Sequence, residues 1–275
     1  MSTGGRITVE HAGIELGDGI GRFEALHDIS LRVESGEFVC LLGPSGCGKS
    51  TLLGALAGHL APARGDLRLD DVPIRGPDSD RGLVFQHHTL FPWKTVVENV
   101  AFGLKIKGVG RGERNARARE MIERVGLHGF ESRYPGELSG GMQQRVEIAR
   151  ALINSPRVLL MDEPFGALDA LTRTRMQELL LDLWSTLRTT VLFVTHDIDE
   201  ALFLADRIVI LSRSPGRIVE ELVVSGVRPR RTEHLAEPAF LDLKRRCLAL
   251  LHHSVSVVPD RERLNPLGAA QPEGA

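Results

Sequence analysis

The sequence predicts an α/β fold: a mainly parallel core sheet covered by helices, a small antiparallel β subdomain and an inserted helical subdomain. Three observations predict it. The apolar run Phe38–Leu42 leads through a glycine-rich turn into a helix-forming stretch, Leu52–Leu60. Strand character returns at Arg157–Met161, Thr190–Thr195 and Arg207–Leu211, alternating with helical stretches at Leu171–Leu187 and Ile198–Ala205. Strands that alternate with helices pack as a parallel sheet with both faces covered. Between these parts, from about Thr95 to Ala151, composition turns helical and charged, as in GRGERNARAREMIERVG.

Along the chain, short strands are expected first at Ile7–Val9 and Ile29–Val33. The continuously apolar Phe38–Leu42 reads as a buried parallel strand. Asp66–Asp71 and its DDVP turn suggest an antiparallel hairpin. A strand is expected at Gly82–Phe85, and a C-terminal helix at Ala239–Leu251. One domain is expected over residues 7–238, with the helical subdomain at about 87–155; residues 239–275 would add the helix and a disordered tail ending NPLGAAQPEGA.

Composition narrows the function classes. Apolar residues are 42% and charged residues 25% of the 275, the balance of an ordinary globular protein. Three cysteines, Cys40, Cys47 and Cys247, have no metal-ligand spacing and read as reduced thiols. A net charge of −2 gives no sign of a nucleic-acid partner. The start, MSTGGRITVEHAG, has neither the basic nor the apolar region of a signal peptide. No apolar run approaches the ~20 residues that span a bilayer, so a role in transport would need a separate pore.

Three motifs carry chemistry. Gly43-Pro44-Ser45-Gly46-Cys47-Gly48-Lys49-Ser50-Thr51 contains G-x-x-x-x-G-K-[ST] between a strand and a helix. Glycines let the backbone wrap phosphates with its amides pointing inward, and the helix start adds roughly +0.5 of an elementary charge. Lys49 is expected to reach the β- and γ-phosphates and Ser50 to ligate Mg²⁺. Second, Val158–Glu163 is an apolar strand ending in two carboxylates, 113 residues after Lys49 counted to Asp162. At that edge Asp162 can hold Mg²⁺ through water and Glu163 can polarise an attacking water. Third, in Leu138-Ser-Gly-Gly-Met-Gln-Gln-Arg145, Ser139 reads as an N-cap, and Gly140 and Gly141 leave the next helix's amides uncovered. That is a second anion site, and one loop cannot use both sites on the same phosphate. A glycine turn, a solvated Asp-Glu pair and a capped helix are each ordinary alone; their order and strand context argue for function.

With these residues in this order the chain resembles the ATP-binding cassette (ABC) family, whose signature begins LSGG. The resemblance covers about residues 7–238 and implies a P-loop NTPase fold, with the helical subdomain carrying the signature. It implies ATP as substrate with Mg²⁺, and a head-to-tail dimer in which each signature helix contacts the γ-phosphate bound by the other subunit. It also implies that Gln86 is the Q-loop residue that senses Mg²⁺, that Ala167-Leu-Asp169 is the D-loop at the dimer interface, and that His196 contacts the γ-phosphate. Met142 departs from the commoner Gln, with little effect expected. The position where the family stacks adenine on an aromatic falls near Leu16, leaving Phe23 as the nearest candidate.

The run LFPWKTVVENVAFGL after Gln86, with EPFGALDALTR and SRSPGRI, is similar to the nitrate/sulfonate/taurine/bicarbonate importer branch. There the segment around Phe91, Pro92 and Trp93 forms part of a groove receiving a coupling helix from the permease; turn and core packing is the plainer reading. The resemblance thus implies an ATPase on the cytoplasmic face of the inner membrane, with a permease and, indirectly, a solute-binding protein as partners. A sulfonate such as taurine is favoured slightly over nitrate. A soluble cassette ATPase of DNA repair or the ribosome would bring a long coiled coil or a second cassette, and neither is present. A P-loop kinase has no use for LSGG, and no NKxD-type guanine-reading motif is found. A nonhydrolysing module would be expected to have lost Lys49, Glu163 or His196. An exporter cassette is more often fused to its membrane spans.

Overall fold

The computed structural model of the protein describes residues 4–256 apart from 227 and 229; the expected tail lies outside the described residues. β1 (Ile7–Leu16) and β2 (Phe23–Val33) pair antiparallel across a 3-10 turn at Gly19–Gly21. Both are longer than the expected segments 7–9 and 29–33. Their ladder is broken by bulges, with His11 at φ 48° and Asp28 at φ 54°. A bulge shifts the side-chain alternation by one residue, so the pattern that signals a strand is interrupted while the pairing continues.

The chain then enters the core at β3 (Phe38–Leu42) and continues into α1 (Lys49–Ala57). That helix was expected at 52–60, but begins three residues earlier on the glycine turn itself and stops before Gly58. β4 (Arg64–Leu69) and the short β5 (Val72–Pro73) form the expected hairpin, with Asp70 and Asp71 both at positive φ in the turn. β1, β2, β4 and β5 make one antiparallel sheet in the order β2-β1-β4-β5.

After β6 (Arg81–Val84) comes the helical insertion: α2 (Val96–Val100), α3 (Phe102–Ile106), α4 (Arg111–Arg124) and α5 (Gly140–Leu152). The core then resumes with β7 (Val158–Asp162), α6 (Ala170–Leu187), β8 (Thr190–Thr195), α7 (Ile198–Leu204) and β9 (Arg207–Leu211). The second sheet runs β10-β9-β3-β8-β7-β6, parallel except for the edge strand β10 (Ile218–Val223), which pairs antiparallel with β9. β10 was not anticipated. It carries Glu220 and Glu221 and is mostly exposed, so neither an apolar run nor a clean alternation announces it. α8 (Pro238–Ser256) closes the described chain and is longer than the expected 239–251.

Alternation along the core strands divides the interior in two. Phe38, Cys40 and Leu42 face a cluster that holds α5, α6, α7 and the insertion; Val39 and Leu41 face α1 and the antiparallel sheet. α1 is therefore clamped between two sheets, which holds the glycine turn at its start. All three cysteines are buried free thiols, and burial pushes Cys40 and Cys47 up from the usual thiol range. Among the described residues no helix is long and apolar enough to cross a membrane.

Phe193 of β8 is wholly buried and stacks against Phe38 and Phe165 at centroid distances of 6.0 and 5.7 Å. Phe193→Ala should lower unfolding free energy by about 3–5 kcal/mol, measured in urea with an unchanged slope; a loss below ~1 kcal/mol would contradict its place at the centre of the core.

Candidate functional site

The glycine turn stands at the C-terminal end of β3. Gly48 sits at φ 96°, and a Cβ there would come within 2.5 Å of Leu26 and 3.0 Å of the Ala25 carbonyl, so only glycine lets the turn lie this close to β2. Ser45, Gly46 and Ser50 are exposed, Pro44, Gly48 and Thr51 half-buried. Cys47 is fully buried, leaving only its backbone for a ligand. Lys49 is 5% exposed, and its Nζ donates to the Gly43 carbonyl at 2.7 Å and the Pro44 carbonyl at 3.0 Å. Among the described residues it has no carboxylate in ion-pair contact. A buried ammonium resting on neutral carbonyls is under-compensated, and an entering anion would be favoured there.

The ends of β7 and β8 bring the acid and the imidazole to the same edge. Asp162 Oδ1 accepts a hydrogen bond from Ser50 Oγ at 3.0 Å. Burial raises the Asp162 carboxyl above its ordinary range, and the adjacent Glu163 charge adds to this; Ser50 and Lys49 oppose it. The pair Ser50–Asp162 is thus short of positive charge, which fits a divalent cation held by one carboxylate, one hydroxyl and other oxygens. Among the described residues no cluster of three or more His, Cys, Asp and Glu could hold an ion alone. Glu163 lies at φ 41°, a strained conformation for a non-glycine residue that is over-represented at functional sites. Its N–H donates to the Val194 carbonyl at 3.0 Å, and its Oε2 lies 2.9 Å from His196 Nδ1. His196 is 62% exposed, so its other ring nitrogen is free to meet a ligand.

Gln86 follows β6, the strand beside β7, and is exposed at this same edge. Ser139 caps α5 as expected, accepting from the Met142 N–H at 3.3 Å. It makes no hydrogen bond to the turn at 43–51, so one chain does not unite the two anion sites. The two glycines differ in purpose. A Cβ on Gly140 would find nothing nearer than 3.9 Å, whereas one on Gly141 would meet the Thr172 methyl at 2.6 Å. Gly140 leaves the helix end open; Gly141 lets α5 press on α6. Asp169 caps α6, accepting from the Thr172 N–H at 3.0 Å, and that bond holds its carboxyl below the usual range.

Sequence reasoning missed the side chains that hold these segments. Glu147 of α5, 2% exposed, accepts from the Thr89 N–H and, at 3.1 Å, from the Thr89 hydroxyl; His88 Nδ1 lies 3.4 Å from its other oxygen. Arg150 donates to the Thr89 carbonyl at 2.8 Å. The segment after Gln86 is therefore fastened to the helix that Ser139 caps. Arg173 of α6 joins the Leu168 carbonyl (3.0 Å) to Asp197 (3.5 Å), and Asp197 caps α7 beside His196. Nothing local marks a lone Glu or Arg inside a helix as one of these links.

The chain is similar to known proteins in sequence and in fold. The family described as ABC transporter matches residues 26–166. The taurine import ATP-binding protein TauB of Yersinia pestis is 54% identical over 198 residues, 72% of this chain and 78% of that protein. The nitrate import ATP-binding protein NrtD of Synechocystis is 52% identical over 205 residues, 74% and 77% of the two chains. Among solved structures, the ATP-binding cassette MJ0796, a dimer in a post-hydrolysis state bound to ADP and Pi, superposes with a TM-score of 0.71 at 34% identity, covering 80% of this chain and all of that one.

The contrast between the glycines is testable by stability. Gly141→Ala should cost about 1–3 kcal/mol through overpacking, and Thr172→Ser, which removes the opposing methyl, should recover most of it. Gly140→Ala should leave the melting temperature nearly unchanged. A Gly141→Ala protein that Thr172→Ser fails to rescue would overturn the packing assignment.

Proposed function

The chain belongs to the ABC transporter family, and from that premise we propose that it is the ATP-hydrolysing subunit of an importer for a small anion, taurine or another sulfonate or nitrate. A separate membrane permease would form the path, fed by a solute-binding protein, with this chain on its cytoplasmic face. The observation that carries the ATPase reading is the convergence of Lys49, Ser50–Asp162 and Glu163–His196 on one sheet edge. The importer reading rests on the similarity to relatives named for taurine and nitrate import. A soluble cassette ATPase outside transport is the alternative, and no feature of this chain favours it.

In this reading the amides of residues 45–51 surround the phosphates, and Lys49 exchanges its two carbonyl partners for phosphate oxygens. Ser50, Asp162 and Gln86 would hold Mg²⁺, which supplies charge neutralisation at the phosphates. Glu163 orients the attacking water and takes up its proton. His196 holds the Glu163 carboxylate through Nδ1–H. Its Nε2, on the exposed side of the ring, is left to meet a γ-phosphate oxygen. Phe23, exposed and three residues from the Leu26 that packs on Gly48, is the nearest aromatic candidate for adenine stacking.

Ser139 and Gly140 serve the nucleotide of a second copy, with Asp169 near the seam between copies. ATP closes the dimer because each nucleotide adds contacts that only the closed form makes. Closure moves the permease, and hydrolysis reopens the dimer.

Glu163→Gln should bind ATP normally yet hydrolyse it at least ~10²-fold more slowly; near-wild-type turnover would remove Glu163 from this role. Lys49→Ala should lose ATP affinity by calorimetry, and unchanged affinity would count against the phosphate turn. The transport reading is tested by purifying the tagged chain from detergent-solubilised membranes. A multi-span permease that raises its ATPase rate is the expected companion; recovery of only ribosomal or DNA-associated chains would sink the importer.

A further inference from the structure

His196 is 62% exposed, so packing on its ring does little to fix where it points. The residues on either side of it are held instead. Thr195 ends β8 and is buried; its hydroxyl accepts from the Asp197 N–H at 3.0 Å and donates to the Glu200 carboxylate. Glu200 of α7, 6% exposed, also accepts from the Gln177 side-chain amide of α6 at 2.9 Å. On the other side, Asp197 Oδ1 accepts from the Asp199 and Glu200 N–H groups at 2.9 and 3.2 Å. Its Oδ2 faces Arg173 at 3.5 Å, and Arg173 donates to the Leu168 carbonyl at 3.0 Å. Arg173 and Gln177 stand one turn apart on α6, so the chain of contacts closes into a ring around the histidine.

Glu200 is the member of this ring that packing does not explain. α7 buries Ala201, Leu202, Phe203 and Leu204 beside it, and an apolar side chain at 200 would serve packing alone. Among the described residues Glu200 forms no ion pair; its side-chain partners are an amide and a hydroxyl. Burial raises its carboxyl above the ordinary range, and the bonds from Thr195 and Gln177 oppose this. A buried carboxylate held by neutral donors costs more than an apolar side chain of the same size. Such a cost is tolerated where a side chain supports a functional group. The position of Glu200 fits that role. Glu163, Arg173, His196 and Glu200 border one cavity of about 20 Å³, far too small for a nucleotide.

We propose that Glu200 is a positioning residue for ATP hydrolysis, which through Thr195 sets the backbone on one side of His196 while Arg173, through Asp197, sets the other. The inference rests on the reading of Glu163 and His196 as the hydrolytic pair and adds what holds them in register. With the ring intact, His196 Nδ1 stays 2.9 Å from Glu163 Oε2. With the Glu200 carboxylate lost, the Thr195 hydroxyl can turn away from the Asp197 N–H. The exposed imidazole then samples positions that miss Glu163. None of the ring's hydrogen bonds reaches the turn at 43–51, so turnover depends on the ring and ATP binding does not.

The test uses the full chain, with ATPase rates read under enzyme excess so that slow variants are still measured. Glu200→Leu with Gln177→Leu replaces both buried partners by apolar groups, so Tm should stay within about 5 °C of the wild type. ATP affinity by calorimetry should stay within about twofold while kcat falls about tenfold or more. Glu200→Gln keeps an acceptor for Thr195 and should hold kcat within about threefold of the wild type. The decisive readout is non-additivity. His196→Ala slows hydrolysis, and adding the paired leucines to it should slow it by no more than about twofold further. That comparison stands whatever the leucines do to Tm, because a general loss of structure would slow both backgrounds alike. If the wild-type chain hydrolyses no ATP, or His196→Ala is as fast as the wild type, the hydrolysis reading fails. Suppose that reading holds, yet the paired leucines leave kcat unchanged or slow His196→Ala as much as they slow the wild type. Glu200 is then structural, and the positioning proposal fails alone. A loss of ATP affinity with kcat preserved would overturn it as well.

Discussion

Parallel pairing of β3 with β8 and of β8 with β7 sets where everything else in this molecule must be. Strands that run the same way end on the same edge, so the residues that follow them are neighbours in space although far apart in sequence. Lys49 follows β3, Asp162 and Glu163 complete β7, and His196 follows β8. The register puts Asp162 beside Val194, and the Glu163 N–H bonds the Val194 carbonyl, which leaves the Glu163 side chain 2.9 Å from His196. Neither the strained φ of Glu163 nor the buried ammonium of Lys49 would persist without the surrounding sheet, because each is held against a local cost.

That rigid edge is linked to a helical insertion through side chains rather than backbone. Glu147 and Arg150 fasten the segment after Gln86 to α5, and Asn99 holds the turn at Phe91–Thr95 through four hydrogen bonds. The aromatic ladder from Trp93 through Phe91 to Phe102 is part of the same body. Glu147 is buried, and a hydrogen bond to a buried charged group is costly to break.

Charge is distributed in the same spirit. At the sheet edge, Lys49 rests on two neutral carbonyls and Asp162 on the Ser50 hydroxyl, and among the described residues neither takes part in an ion pair. A cleft on the insertion, beside α2, α3 and α4, is lined by five cations, Lys94, Lys105, Arg111, Arg114 and Arg119, that form no ion pair among the described residues. A chain close to neutral thus concentrates charge at two places.

The sequence by itself determined the fold class and the contiguous motifs. The turn Gly43–Thr51, the strand ending in Asp162–Glu163, and the cap at Ser139 are each encoded by neighbouring residues whose conformational and hydrogen-bonding preferences are local. Strands with clean apolar runs, such as β3 and β8, were legible for the same reason. Only the tertiary structure decided the rest. β10 is an edge strand whose acids hide its pairing, and bulges at His11 and Asp28 mask the true length of β1 and β2. Gly140 and Gly141 look equivalent in sequence, yet one faces open space and the other meets Thr172 of a distant helix. Nothing local marks Glu147 as the partner of Thr89, and nothing in the arginine-rich stretch of α4 shows that α2 and α3 close a cleft beside it. Such meanings depend on contacts between residues remote in the chain, which no local preference records.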